Sequence, residues 1–286
     1  MQYWAIQTLN SLALGGLLFL LAAGFSLTFG LMRIANLTHG ALFMLGAYLG
    51  VTVMRYVPNL WLAALAAGIA VAAFGGLLEK LILRKLAGNV LGQVLVTLGV
   101  SFIIADACLV AWGGDPIPIP TPKLLQAPVR IAGFVFPAYR LAVVAIAVLV
   151  AIALYLLMDR TRLGAMIRAG VDDPEMASAV GIPVSKLFTT VFCLGAALAG
   201  AGGVIGGPIM SAYPGLDSDM LPLALIVVIL GGVGSLLGAF VGAFITGFVY
   251  TFGVALLPDL AYVILFLPMI LVIAFRPRGL FGKFAA

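Results

Sequence analysis

Polar side chains are rare in the long apolar stretches of this 286-residue chain, and their densest group lies near residue 36. Asn36, Thr38 and His39 occur within four residues, and Gly40 follows them directly. A glycine-marked break in a membrane helix is tolerated where the backbone is buried in protein or lines a cavity. The pattern therefore favours a path for a polar solute, which amide, imidazole and backbone groups would contact. The alternative is a cytoplasmic turn between two helices, with Arg33 reaching towards lipid headgroups.

The other reactive residue types give no catalytic centre. Asp106 stands alone in a later apolar stretch, where it is a candidate for the same path or for a hydrogen bond to a neighbouring helix. His39 is the only histidine, which excludes a multi-histidine metal site. The chain has no Gly-x-x-x-x-Gly-Lys-Ser/Thr loop and no His-Glu-x-x-His motif, and its carboxylates are too scattered to act as a pair. We therefore expect no enzyme and no cofactor or metal on this chain, so that any ATP is hydrolysed by another chain.

A charged segment lies at 159–186, where eight of the 25 charged residues occur. Within it, the run 171–181 predicts a two-turn helix, because Asp173 suits the N-cap, Pro174 the first helical position and Gly181 a left-handed end. Two turns are too short to be stable alone. The helix therefore either lies on the membrane surface as a linker or docks a cytoplasmic partner.

The composition places most of the protein surface in lipid. Hydrophobic residues make up 64% of the chain and charged residues only 9%, whereas a soluble domain carries about 25% charged residues. This excludes a soluble enzyme, a nucleic-acid binder and a secreted disulfide scaffold. The formal net charge of +5 is then a signal of orientation in the membrane.

Long uncharged intervals predict an all-α polytopic membrane bundle, since one crossing needs about 20 apolar residues. We treat 1–286 as a single transmembrane domain. Because some segments can be broken or re-entrant half-helices, we predict eight to ten transmembrane segments. The predicted helical segments are 8–31, 38–54, 60–83, 90–112, 139–158, 187–207, 219–231, 236–257 and 259–276.

Basic residues predict how the bundle is oriented. With the N-terminus outside, nine crossings place 11 of the 15 Lys and Arg residues, Arg33 and Lys283 among them, on or near the cytoplasmic side. The opposite orientation would reverse this excess, so we predict an external N-terminus and a cytoplasmic C-terminus. The proline-rich loop 113–138 is then an external, extended connector or docking surface. The loop 159–186 is cytoplasmic.

Small residues predict close contacts between helices. Gly234, Gly238 and Gly242 recur at four-residue spacing and would form one small face, along which a second helix can approach closely. The regions 24–46 and 224–246 share the order of apolar helix, glycine-marked break and small-residue helix. That order suggests an internal repeat of the kind from which many transporters are built.

Four separated blocks of the sequence resemble, in order, the LivH-type branched-chain amino-acid permeases of ABC importers. The N-terminal block is GFSLTFGLMRIANLTHG at 24–40, with MLGAY at 44–48. The second block is the loop stretch 164–182, and the last two are LGGVGSLLGAFVGA at 230–243 and RPRGLFG at 276–282. The similarity extends over nearly the whole chain.

The resemblance implies a permease subunit of the bacterial inner membrane that works by alternating access. It implies a second permease, often a related hetero-partner, two cytoplasmic ATPases and an extracytoplasmic solute-binding protein. The implied cargo is a branched-chain amino acid or another small solute such as a neutral amino acid, an amide or urea. Coupling to the ATPases is expected at Gly164, Arg168, Asp172, Asp173, Glu175, Ala177 and Gly181.

Two other functions stay open at this point. A stand-alone ion-coupled transporter or channel would need an intramembrane ion site, for which Asp106 is the credible acid. A membrane enzyme would need a catalytic set of side chains, and the sequence supplies none.

Overall fold

The computed structural model describes residues 2–32, 36–131 and 134–282, so Arg33 and Lys283 lie outside the described residues. In these ranges the chain is almost entirely helical. The helices are α1 Gln2–Met32, α2 Thr38–Tyr56, α3 Leu60–Leu81, α4 Val90–Trp112, α5 Ala138–Arg160, α6 Arg162–Asp172, α7 Pro174–Ala179, α8 Val184–Met210, α9 Leu216–Gly231, α10 Leu236–Leu256 and α11 Ala261–Phe275.

An all-α, multi-pass membrane bundle is confirmed. Each predicted segment coincides with one of α1–α5 or α8–α11, and α6 and α7 lie in the predicted cytoplasmic loop. Six described stretches are long and apolar enough to cross a bilayer, whereas α9 and α11 are shorter; the eight to ten crossings stay a prediction. The six are Tyr3–Gly30, Leu60–Leu86, Val90–Trp112, Ala138–Arg160, Val184–Met210 and Leu236–Leu256.

The proline-rich loop 113–138 contains structure that the sequence did not predict. Strands β1 Pro128–Ile131 and β2 Phe134–Pro137 form an antiparallel hairpin. Closer to α4, Ile117 and Ala212 exchange two backbone hydrogen bonds of 2.8 and 2.9 Å. The loop therefore packs onto the end of α8 instead of running free, and four-residue strands are too short for their alternation to stand out in the sequence.

Helix α8 is the centre of the bundle, and glycines bring its backbone against its neighbours. A Cβ atom at Gly24 of α1 would lie 2.5 Å from the carbonyl oxygen of Gly195, and one at Gly46 of α2 would overlap the backbone of Gly200. No side chain separates the helices at these points, so α1 and α2 contact α8 through main-chain atoms. Helix α3 packs along the same part of α8.

Two of the three glycines that we predicted to form a small face of α10 lie against α9. Cβ atoms at Gly238 and Gly242 would meet backbone oxygens of Gly231 and Val227, so both glycines face α9. Gly234 instead precedes α10 with a φ of +76°, a left-handed conformation that favours glycine. Its α-carbon packs on Gly30 of α1, because the chain turns between α9 and α10 before the helix begins.

Helix α9 begins inside the bundle. Helices α2 and α8 run parallel, since Gly46 lies against Gly200 and Gly50 against Val204. Yet a Cβ at Gly40, near the start of α2, would lie 2.6 Å from the backbone oxygen of Asp217 in the first turn of α9. The chain therefore turns back between the end of α8 and the start of α9.

Asp217 lies in the first turn of α9. The N-cap position belongs to Gly215, and the contact with Gly40 places Asp217 at the depth of the start of α2. Its 16-residue helix is about 24 Å long, which is less than the roughly 30 Å of hydrocarbon in a bilayer.

Candidate functional site

Helix α7 forms where the local sequence signals placed it. The Asp173 carboxylate accepts hydrogen bonds from the backbone N–H groups of Glu175 and Met176, at 3.0 and 2.9 Å. Pro174 occupies the first helical position. Gly181 ends the segment with a φ of +88°, and its N–H donates to the Ser178 carbonyl. The predicted short helix is confirmed, with a capping carboxylate and a left-handed glycine as its boundaries.

Helix α6 is fixed to the end of α5. Gly164 lies so close to the carbonyl of Met158 that any side chain would overlap it. Arg168 donates hydrogen bonds to the same carbonyl and to the Asp159 carboxylate, the latter at 3.3 Å. Ile167 is buried in the hydrophobic core. A displacement of α6 would therefore be passed directly to α5.

Helix α7 presents an apolar surface outward. Ala177 is buried, whereas Met176 and Val180 are 61% and 69% exposed. Acidic side chains of Asp172, at the end of α6, and Glu175 are exposed beside them. Apolar side chains ringed by charge are typical of a docking surface, since exposing them to water is unfavourable.

The polar group near residue 36 is buried within the bundle. The Asn36 side-chain oxygen accepts hydrogen bonds from the N–H and the hydroxyl of Thr38, so it helps to start α2. The Asn36 side-chain nitrogen has no partner in the described part of the chain. Neither ring nitrogen of His39 makes a hydrogen bond of good geometry there, although the Leu21 carbonyl is nearby. The His39 ring lies 5.5 Å from that of Phe25, centroid to centroid.

Gly40 extends this group to α9. A Cβ at Gly40 would meet the main-chain oxygen of Asp217, so the first turn of α9, in which the Asp217 side chain is buried, packs on the start of α2. The sequence does not indicate that Asp217 lies next to Gly40, because no pattern links positions 177 residues apart. Its spacing from Asp219 resembled an ordinary acidic first helical turn.

Asp106 does not belong to this group. It lies on the exposed face of α4, in the same turns as the exposed side chains of Phe102, Ile103 and Val110. In this chain it does not line the bundle interior, so its expected position beside the path is wrong. The physical reason is its place on the helix, since the buried face of α4 is formed by Thr97, Ser101, Ile104 and Cys108.

Comparison with known proteins gives a consistent result. The family model described as the permease component of branched-chain amino acid transport systems matches residues 7–273, from α1 into α11. The high-affinity branched-chain amino acid transport system permease protein BraD of Pseudomonas aeruginosa is 30% identical over 97% of this chain and 95% of its own length. LivH of Escherichia coli K12, with the same description, is 26% identical over 98% and 96%.

A more distant relative covers less of the sequence. The probable branched-chain amino acid transport permease protein LivH of Methanocaldococcus jannaschii is 27% identical over 78% of this chain and 72% of its own length. No solved structure matches the chain significantly. These relatives are permease subunits of transport systems and not enzymes. With a family match that extends from the first helix into the last, this chain belongs to the family of branched-chain amino acid transport system permease components.

Proposed function

We propose that this chain is the permease subunit of an ABC importer that carries branched-chain amino acids or a closely related small solute. Its family membership supports the cargo class, and the apolar helices support a place in the membrane. The distribution of basic residues supports an orientation in the bacterial inner membrane with the N-terminus outside and the C-terminus in the cytoplasm.

The observation that carries the proposal is the exposed apolar surface of α7. In the proposed assembly, two cytoplasmic ATPases bind the α7 helices of this permease and of a second, related permease. An extracytoplasmic binding protein delivers the solute. The absence of a phosphate-binding loop in this sequence agrees with an ATPase on a separate chain.

The coupling step follows from how α6 and α7 are attached. Closure of the ATPases displaces α7, and the contacts of Gly164 and Arg168 pass the displacement to α5. On the other side of α7, the Ile182 N–H donates to the Ala177 carbonyl, which ties the end of α7 to the start of α8. Both attachments transmit force into helices that contact the bundle core. The solute path then changes the side of the membrane to which it opens.

For the solute path we propose the buried group at the start of α2. Asn36, Thr38, His39 and Gly40 line it, and Asp217 is added from α9. A zwitterionic amino acid carries an ammonium and a carboxylate. These match the Asp217 carboxylate and the Asn36 side-chain nitrogen, which has no partner among the described residues. The side chains of Asn36, Thr38, His39 and Asp217 are all buried in this structure, an arrangement that we assign to a closed path.

Reconstitution in liposomes tests the function. We expect uptake of labelled leucine only when the permease pair, the ATPases, the binding protein and ATP are all present. The Asp106→Asn variant should transport normally, because Asp106 faces away from the interior. Uptake by this chain alone, driven by a proton or sodium gradient and lost in Asp106→Asn, would instead establish the ion-coupled transporter.

A substitution at His39 tests the path. His39→Leu removes a buried polar ring without good hydrogen bonds, so it should raise the thermal midpoint while lowering leucine uptake at least tenfold. Thr246→Val is the matched control, since the Thr246 hydroxyl is also buried and unpartnered within the described chain but lies on α10. The control should be stabilised with normal uptake. If both variants took up leucine equally well, His39 would not be part of the solute path.

A further inference from the structure

An open cavity lies beside the base of α7, where no role has been assigned so far. Its volume is about 610 Å³. Its polar lining comes from the end of α3, the following 3-10 turn, the end of α7 and the first turns of α8. These lining side chains are Lys80, Arg84, Ser178, Ser185, Lys186 and Thr189.

The charge of one lining residue is already neutralised. The Arg84 guanidinium donates to both carboxylate oxygens of Glu79, at 2.9 and 3.1 Å, and also to the Ser185 carbonyl. The Thr189 hydroxyl donates to the same carboxylate at 2.8 Å. Glu79 is only 1% exposed, so this network holds Arg84 rigidly at the cavity wall.

Two lysines in the cavity have no such compensation. Lys80 and Lys186 are exposed, and their ammonium groups form no ion pair or hydrogen bond with any described residue. The acids of the α6–α7 region, Asp172, Asp173 and Glu175, form no ion pair with them either. The cavity therefore carries about two uncompensated positive charges next to serine hydroxyls. That donor set suits a phosphate group.

The surface beside the cavity is apolar. Leu77 and Leu81, one turn apart on α3, are 57% and 56% exposed, and Ile82 follows them. Lys80 lies on the same turns of the helix. If the anionic group of a ligand occupies the cavity, an attached hydrocarbon chain can contact the apolar, membrane-facing side of α3. An inorganic phosphate would leave that surface uncovered, whereas a phospholipid would use both parts.

We propose that this cavity binds the phosphate of an anionic phospholipid. Lys80 and Lys186 contact the phosphate, Ser178 and Ser185 donate hydrogen bonds, and the acyl chains lie along Leu77 and Leu81. The leaflet, which is cytoplasmic, follows from the proposed orientation, but the binding itself does not depend on transport. Because Ser178 belongs to α7, a bound lipid would hold the end of this helix to α3 and α8.

Native mass spectrometry of the full-length protein, purified with its accompanying subunits, tests this site. The probe is phosphatidylglycerol, with phosphatidylcholine as the zwitterionic comparison. Each lysine near a membrane surface contributes about fivefold to the binding of anionic lipid, so Lys80→Gln with Lys186→Gln should lower retained phosphatidylglycerol on the order of twentyfold. Retention of phosphatidylcholine should not change.

The matched control removes the same charge outside the cavity. Lys85→Gln with Arg162→Gln alters two exposed residues that do not line it, and should retain phosphatidylglycerol normally. An equal loss of phosphatidylglycerol in both double variants would show that the lipid responds to general surface charge, and this would overturn the proposal. Displacement of the lipid by millimolar inorganic phosphate would identify free phosphate as the occupant. Binding that vanishes whenever the ATPases are present would assign the lysines to the ATPase interface.

Discussion

A permease that carries Met176→Asp and Val180→Asp is expected to insert and fold normally but to lose all substrate-stimulated ATPase activity. Both side chains are exposed on α7, and both would be desolvated by a bound ATPase. Each carboxylate placed in an apolar interface should weaken the binding free energy between permease and ATPase by at least about 2 kcal/mol. The loss of affinity should therefore separate the ATPase from the permease. Reconstituted ATPase assays and co-purification measure it.

The same type of substitution on the opposite side provides the control. Leu124 is 94% exposed in the proline-rich loop 113–138, so Leu124→Asp should leave stimulation unchanged. Replacing Glu175 and Arg168 together with alanine tests transmission as well as docking, because Arg168 fixes α6 to α5. That pair should also abolish stimulation while membrane insertion stays intact. Normal stimulation in both double variants would refute α7 as the coupling element.

Gly46→Leu should prevent the bundle from folding. A side chain at this position would overlap the backbone of Gly200, and Gly200 has no side chain that can move aside. Overpacking of a side chain against side chains costs about 1–3 kcal/mol, and an overlap with main-chain atoms should exceed that range. We expect little monodisperse protein in detergent, and a lower thermal midpoint for the milder Gly46→Ala.

Gly99→Leu is the control for this prediction. No atom lies within 4 Å of a Cβ built at Gly99, which is exposed on α4. Leucine also favours a helix by roughly 0.5–1 kcal/mol over glycine, so this variant should be as stable as the parent or more stable. If Gly46→Leu were as stable as Gly99→Leu, the close approach of α2 and α8 would be wrong.

Local signals made much of this structure predictable. The boundaries of α7 followed from Asp173, Pro174 and Gly181, because a cap, a first-turn proline and a left-handed glycine act within a few residues. The long helices followed from uncharged intervals in the same way.

Contacts between distant segments were not predictable in this way. Nothing in one sequence indicates that Gly40 meets Asp217, or that the proline-rich loop pairs with Ala212 beyond α8. The exposed side of Asp106 was missed for a different reason. The buried side of α4 is marked by Gln93, Thr97 and Ser101 at four-residue spacing, whereas the single charge of Asp106 drew attention to the opposite side.

The glycine contacts around α8 also determine which parts of the bundle can move separately. Where two helices touch through main-chain atoms, no side chain can change rotamer to absorb a small sliding motion. Helices α1, α2 and α8 must therefore travel together as one rigid body, joined at Gly24, Gly46 and Gly195. Any change in the side to which the path opens has to occur at the margins of that body, where α4 and α5 meet it mainly through side chains.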